Sequence, residues 1–467
     1  MSEANTHSGP GAPAFRIALL GDFSGRSTRL AAMRPKLSGV KPISVDPGNF
    51  EEVMESMGVE IRLGENGEAP ALRFSTIDDF HPDEIYARAT IFHAVRTARK
   101  ELKNPAIFAP MVRAPERPAL SSSVSLLDAI VDATDAPAVS RHRDLWDEAI
   151  QRIVAPHLIP RPDPQQEEVR AQLDSVASEM MRIILSHPDF QSIEAAWRSV
   201  FLLLRHLDAN EHLSIELIDV SREELLADVL SAIDIRSTGL WRLLVDEARW
   251  SVCAALFTFG SSTRDFQALE RIASIAKAAG APFIAEAHPR LAGCKSIAAA
   301  PDPDDWTQPL DAETAAAWKR LRSLPDARWI SLAMPRFLLR LPYGASTSAI
   351  DSFDFEEMPS PDHDRYLWGN PAVACACLLG ETFQMQGVHM RPGSLHQLEG
   401  VPIHCFRSNE ATPPAEVWMT ERVAESLLDR GLMPLASVMN RDMVQFISFR
   451  SIAQPGWPLL GPWNLDD

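Results

Sequence analysis

The sequence predicts an α/β fold, two units with mixed sheets flanked by helices, and three observations carry that prediction. Short apolar runs of strand length recur at 14–20, 213–220, 251–259, 281–287 and 329–333. Between them lie longer stretches whose apolar residues fall at helical spacing, with Gly, Pro, Asp and Asn at the joins. The 467 residues are 46% hydrophobic and 23% charged, which is enough apolar side chain for two or three cores.

The run 14–20 stops at Gly21-Asp22, as a strand entering a turn does. After an extended stretch at 41–45, Asp46-Pro47-Gly48-Asn49 turns into a helix over 50–57. Asn49 is its candidate cap, Glu51 and Glu52 lie in the electropositive first turn, and Gly58 ends it. Residues 60–63 and 71–74 alternate charged and apolar side chains on either side of Gly64-Glu65-Asn66-Gly67, the pattern of a hairpin. A helix beginning at Asp78-Asp79 and running to about Leu102 completes a unit at 14–105, preceded by a flexible start at 1–13.

Prolines at 105, 110, 115 and 118 disfavour continuous helix and mark 106–124 as a Pro-rich linker. Residues 125–170 hold short amphipathic stretches and read as a helical docking segment, and the second domain runs over 171–455. There 169–185 is helical and His187-Pro188-Asp189 breaks it. Asp189 can cap a second helix that carries Ile193, Ala196, Trp197 and Val200 on one face. Ser221 with Glu224 three residues later is a capping-box pattern for a helix over 221–230. Helices at 264–279 and 312–324 alternate with the remaining strands. A short tail occupies 456–467.

Composition excludes several classes. A formal charge of −18 without a basic patch argues against sequence-independent nucleic-acid binding. No run of 18 uninterrupted apolar residues exists, and the polar N-terminus lacks a basic region followed by an apolar one, so the expectation is a cytoplasmic protein without a membrane span. Five cysteines make no disulfide framework, and Cys375 and Cys377, in an Ala-rich apolar run, read as buried structural thiols.

Catalytic motifs are missing: there is no GxGxxG, no GxxxxGK[ST], no GxSxG and no HExxH. Asp362-His363-Asp364 reads as a solvated loop rather than a metal site, and the pairs Asp78-Asp79 and Glu223-Glu224 read as helix starts. The expectation is therefore no enzyme, no cofactor and no metal. In Pro335-Arg336-Phe337-Leu338-Leu339-Arg340-Leu341-Pro342-Tyr343-Gly344, Arg336 and Arg340 are candidate structural or partner contacts, as is Trp197; the structural reading pairs the arginines with Asp354, Glu356 and Glu357.

Two signatures remain, Leu20-Gly21-Asp22-Phe23-Ser24-Gly25 and His187-Pro188-Asp189-Phe190-Gln191-Ser192-Ile193-Glu194-Ala195-Ala196-Trp197-Arg198. The first, with KPISVDPGNFEEVMESMGVEIRL at 41–63 and LRFSTIDDFHPDEI at 72–85, resembles the small subunit TssB of the type VI secretion contractile sheath. The second, with IELIDVSREELL at 215–226, APFIAEAHP at 281–289, MPRFLLRLPYG at 334–344 and Tyr366-Leu367-Trp368-Gly369-Asn370, resembles the large subunit TssC. Those are normally two proteins, so the resemblance implies a fusion.

What the resemblance implies is a non-enzymatic, sheath-like structural component that packs with other sheath subunits and with the needle tube or baseplate. An AAA+ disassembly ATPase is implied as a further partner, and the positions similar to its docking helix are Leu126, Leu127, Ile130 and Val131. In the family a strand precedes the first signature and the large subunit continues beyond the region ending near Pro455; both are lacking here, so an accessory or adaptor that does not itself polymerise is an alternative. Two functions from different classes stay open beside it: an α/β hydrolase or transferase, and a cytoplasmic regulatory binding module.

Overall fold

A computed structural model describes residues 15–29, 36–63, 71–102, 166–405 and 412–464. The linker 106–124 and the candidate docking positions Leu126, Leu127, Ile130 and Val131 lie outside the described residues. The fold class is α/β: a nine-stranded mixed sheet with helices on both faces.

The first segment contributes β1 (Phe15–Gly21), β2 (Ile43–Val45), α1 (Phe50–Met57), β3 (Val59–Arg62), β4 (Ala71–Phe74), α2 (Pro82–Arg88) and α3 (His93–Leu102). The second begins with α4 (Gln166–Leu185), α5 (Pro188–His206), β5 (Leu213–Asp219), α6 (Arg222–Ser231), β6 (Val252–Phe259), α7 (Thr263–Ala279), β7 (Phe283–Ala287), α8 (Ala312–Arg322) and β8 (Ile330–Met334). It continues with β9 (Phe337–Leu338), β10 (Trp368–Gly369), α9 (Pro371–Gln386), β11 (Gln397–Glu399), α10 (Glu421–Asp429), β12 (Met433–Ser437) and β13 (Met443–Phe446).

The main sheet runs β11-β13-β12-β8-β7-β6-β1-β5-β2. Its six inner strands from β12 to β5 are parallel, and β2, β13 and β11 are antiparallel to their neighbours. The two sequence segments therefore do not build separate main sheets. β1 lies between two strands of the second segment, with Phe15 opposite Leu213 on one side and Ile17 opposite Val252 on the other. The reason is visible in its composition: a strand apolar at nearly every position needs cover on both faces, and only an inner position provides it. Phe15, Ile17 and Leu19 enter a core with α4, α5 and α9, whereas Ala18 and Leu20 enter the opposite core with α6, α7, α8 and α10.

The alternating strands β3 and β4 do form the expected hairpin ladder, a separate two-stranded sheet. Phe74 and Phe80 pack against Phe190 of α5, with ring centroids 5.9 and 5.8 Å apart, so this sheet sits on the second segment as well.

Local chemistry corrects three expectations. The stretch 78–102 is not one helix: a 3-10 turn at Ile77–Phe80, α2 and α3 follow one another, broken at Pro82, which lacks an N–H, and at Ala89. Arg96 donates to the carbonyls of Tyr86 and Ala89 and so ties the start of α3 back to the break. Asp189 does not cap α5; the His187 ring Nδ1 accepts from the Asp189 N–H at 3.2 Å, and Pro188 takes the first helical position. Asn49 does not cap α1 with its side chain, which instead accepts from the Asp46 N–H and donates to the Ser44 carbonyl. The Ala-rich run around Cys375 and Cys377 is the centre of α9, a helix buried nearly all round.

Candidate functional site

The two signature motifs meet at the seam where β1 leaves the sheet. Leu20-Gly21 ends β1, and the following turn is held by carboxylates from two directions. Asp22 accepts from the N–H groups of Arg26 and Ser27 at 2.6 and 2.7 Å, which closes the turn on itself. Asp219, at the end of the neighbouring β5, accepts from the N–H groups of Phe23 and Ser24 at 2.9 and 3.2 Å and from the Ser24 hydroxyl at 2.7 Å. Burial pushes the Asp219 carboxyl up in pKa, against the hydrogen bond from Ser24. Trp197, fully buried on α5, donates its indole N–H to the Phe23 carbonyl at 2.8 Å and packs edge-on to Phe23 and Phe50.

Arg26 completes this latch by gripping Glu224 with two 2.8 Å bonds. Glu224 also closes the capping box of α6 with Ser221, so one carboxylate caps a helix and anchors the other segment. Gly25 is required: its φ is +79°, and a Cβ there would stand 1.9 Å from the Glu60 carbonyl oxygen. The motif LGDFSG is thus a docking turn for backbone and side chains of the second segment.

A second cluster joins HPDFQSIEAAWR to MPRFLLRLPYG. Arg340, only 8% exposed, lies between two buried carboxylates, with Nε 2.7 Å from Glu194 and Nη1 2.7 Å from Glu357. Arg198 adds a 2.7 Å bond to Glu194 and a 3.0 Å bond to the Tyr343 hydroxyl, and the Tyr343 ring lies 4.2 Å from the Arg340 guanidinium. Burial opposes every charge here, yet Arg340 and Arg198 hold the Glu194 carboxyl below its usual range, and the two carboxylates hold the Arg340 proton well above its own. The His81 ring of the first segment packs edge-on against Tyr343, so this cluster also touches the seam.

Arg336 has a different partner from the expected acidic stretch. It forms a two-pronged pair with Glu416, at 3.1 and 2.6 Å, and the Arg336 N–H donates to the other Glu416 oxygen at 2.8 Å. Of the acidic residues nearby in sequence, Glu357 pairs with Arg340; Asp354 offers its backbone carbonyl to Ser178, and the Glu356 carboxylate accepts from the Ala345 N–H. His363 Nε2 lies 3.3 Å from Glu416, and Asp362 caps its own short turn and pairs with Arg365.

Glu286, at the carboxyl end of β7, faces this cluster. Burial pushes its carboxyl up to about 7, with Glu416 adding to the rise and Arg336 opposing it. Glu416 would also rise on burial, but the His363 ring 3.3 Å away and the charge of Arg336 bring it to about 2. The two carboxyls act on stability in opposite senses. Glu286 holds its proton more tightly folded than unfolded, so its contribution is full below the ordinary glutamate pKa and is lost as pH rises through about 7. The Glu416 contribution is present above the ordinary glutamate pKa and is lost as pH falls toward 2. Glu286→Gln is accordingly expected to raise stability at about pH 8 by at most about 3 kcal/mol and to leave it nearly unchanged at about pH 5, read as urea midpoints across that range. A pH-independent change would refute the assignment.

Sequence reasoning singled out Trp197, Arg336 and Arg340, and the structure brings Trp197 and Arg340 to two neighbouring clusters on one helix, α5, while Arg336 stands apart with Glu416 and Glu286. It missed Asp219, Glu194 and Glu416. Asp219 was in view within IELIDVSREELL, and an acidic residue ending a strand directly after the apolar pair Leu217-Ile218 is the signal for a partner. Glu194 falls on the buried face of α5, where a charged residue requires a counter-ion. Glu416 carries no local sign of its role.

Comparison with known proteins gives these motifs a common setting. Residues 167–453, more than half of the chain, match the family described as VipB: EvpB/VC_A0108, tail sheath N-terminal domain. Residues 13–115 match the family described as Type VI secretion system, VipA, VC_A0107 or Hcp2. The chain is 30% identical over 306 residues to the type VI secretion system sheath protein TssC1 of Pseudomonas aeruginosa, a match that covers 62% of this chain and 61% of that protein. The latch joins the VipA-matching stretch to the VipB-matching one, and the ion cluster, built within the VipB-matching stretch, meets the other through the His81 ring. The chain belongs to the type VI secretion tail-sheath family, with a VipA (TssB)-type segment and a VipB (TssC)-type segment joined in one polypeptide.

Proposed function

We propose that this chain is a non-enzymatic structural subunit of a contractile-sheath-like assembly, a small-subunit/large-subunit pair made as one cytoplasmic polypeptide that packs with other sheath subunits. The observation that carries this reading is the position of β1, an inner strand of the second segment's sheet. A chain built this way holds its two parts together by strand pairing. The conspicuous polar side chains support the non-enzymatic reading, because Asp219, Glu224, Glu194, Arg340 and Glu416 are spent on internal bonds. No helix among the described residues is long and apolar enough to cross a membrane. On this reading the segment at 125–170, with Leu126, Leu127, Ile130 and Val131, docks on the AAA+ disassembly motor as an apolar helix face in a groove, and the needle tube or baseplate is a further contact.

Electron microscopy of the purified chain, alone and mixed with separate small and large sheath subunits, tests the proposal. Tubes from the chain alone identify it as a protomer, and its incorporation only in the presence of the separate subunits identifies it as an accessory or adaptor. A monomer that joins neither kind of assembly overturns the reading.

A further inference from the structure

The carboxyl end of α5 approaches the middle of α9 unusually closely. A Cβ on Gly380 would lie 2.8 Å from Leu207 Cδ1, so the missing side chain is what lets the helix backbone rest against the residue that follows α5. Gln384 adds a clamp by donating to the Asp208 carbonyl at 3.0 Å. This contact brings three metal-ligating side chains together. His206 is the last residue of α5, and Cys377 and Glu381 stand one turn apart on the same face of α9. One donor atom from each lies within 4.8 Å of the other two.

The simplest alternative is an ordinary polar pair, since His206 Nδ1 and Glu381 Oε1 are 2.9 Å apart. That pair accounts for neither the thiol beside it nor the space in front of it. Cys377 is fully buried, yet its sulfur faces an imidazole and a carboxylate. In front, a cavity of about 460 Å³ is lined by His206 and Glu381 on one side and by His396, Gln397 and Glu399 of the β11 rim on the other. One soft, one borderline and one hard donor on two rigid helices, with an open side toward the cavity, form a donor set that zinc accepts and that magnesium and calcium do not favour.

We propose that His206, Cys377 and Glu381 bind one zinc ion, whose fourth position opens into the cavity lined by His396. Tetrahedral ligands at zinc bond lengths stand roughly 3.5 Å apart, so the His206–Glu381 pair, 2.9 Å apart, opens slightly while the Cys377 sulfur, within 4.8 Å of both, moves inward by at most about 1.3 Å, shifts within the reach of side-chain rotation. On binding, the Cys377 thiol releases its proton to solvent through the cavity and the thiolate donates to the metal; nothing is oxidised or reduced. The His206–Glu381 hydrogen bond is exchanged for two metal bonds, and the proton it held passes to the other His206 ring nitrogen or to solvent. The consequence is a pin between α5, the helix that carries both seam clusters, and α9 beneath the sheet. This departs from the sequence reading of Cys377 as a purely structural thiol; Cys375, two residues away, has no such neighbours among the described residues.

The test uses the full chain, stripped with a chelator and titrated with Co²⁺ as a spectroscopic probe and with Zn²⁺ in competition. The expected result is a thiolate-to-cobalt absorption band that saturates at one metal per chain and is displaced by Zn²⁺. Cys377→Ala is expected to abolish the band, and His206→Gln and Glu381→Gln, both at half-buried positions, to weaken binding at least about tenfold. Cys405→Ala, at an exposed thiol away from the cluster, is expected to leave it unchanged. Absence of the band in the wild type, its persistence in Cys377→Ala, or its loss in Cys405→Ala overturns the proposal. If Cys377→Ala fails to give a native circular dichroism spectrum, the two half-buried variants decide, and unweakened binding in both overturns it.

Discussion

Replacing Arg340 with methionine is expected to lower stability by about 3–5 kcal/mol, a large part of the 5–15 kcal/mol typical of a folded domain. The loss arises from what remains, not from what is removed. Glu194 is 0% exposed and Glu357 is 3% exposed, and both accept two hydrogen bonds from the Arg340 guanidinium. Arg198 can still serve Glu194, and the Tyr343 N–H still serves Glu357 at 2.7 Å, but neither supplies a second full charge inside the cluster. An uncompensated buried carboxylate is costly in a way that an apolar pair of the same shape is not. Arg340→Met with Glu357→Gln, which leaves Glu194 paired with Arg198, should therefore recover most of the loss. The deficit of the single variant should also shrink as pH falls, because protonation relieves the stranded carboxylates. Urea midpoints with unchanged slopes measure all three. A loss below about 1 kcal/mol in the single variant would mean that water reaches the cluster and that the pair behaves like a surface one.

The legibility of this cluster in the sequence was uneven, for a physical reason. Local signals were read well: the strand runs, the capping box at Ser221 and Glu224, and Gly58 ending α1 at a φ of +59° depend on neighbours within a few residues. The fusion was also legible, since two long motifs stood in one chain. Hidden from a single sequence was which distant residue answers which charge. Glu357 is 17 positions from Arg340 and was within reach, but Glu194 is 146 positions away, and Glu416 is 80 positions from Arg336. Nor does apolar patterning reveal strand order. Residues 14–20 read correctly as a strand, while their position inside the other segment's sheet is a tertiary choice made by burial on both faces. The three donors His206, Cys377 and Glu381 stayed invisible for the same reason, because Gly380 brings the helices together without any sign in the spacing of the ligands.

That inner position of β1 leads to the largest effect of all. Expressed alone, residues 166–467 are expected not to fold, and co-expression with residues 1–165 is expected to restore a soluble, cooperative protein. Phe15, Ile17, Leu19 and Leu20 are each at most 2% exposed. At about 1.5–3 kcal/mol for each fully buried large side chain, their removal forfeits roughly 6–12 kcal/mol, comparable with the whole stability of a domain. Two facing strand edges, on β5 and β6, would be left unpaired as well, which invites aggregation instead of a merely weakened native state. The latch strengthens the dependence, because Asp219, Trp197 and Glu224 would lose their partners on the first segment together. Joining the segments alters the cost of pairing rather than the pairing itself: a tether raises the effective concentration of β1 to about the millimolar range and makes folding unimolecular. The melting temperature of the intact chain should therefore be independent of protein concentration, while that of the split pair should rise with it. A fragment 166–467 that is monomeric and melts cooperatively without its partner would show that β1 is an accessory strand and would remove the main support for a prejoined protomer.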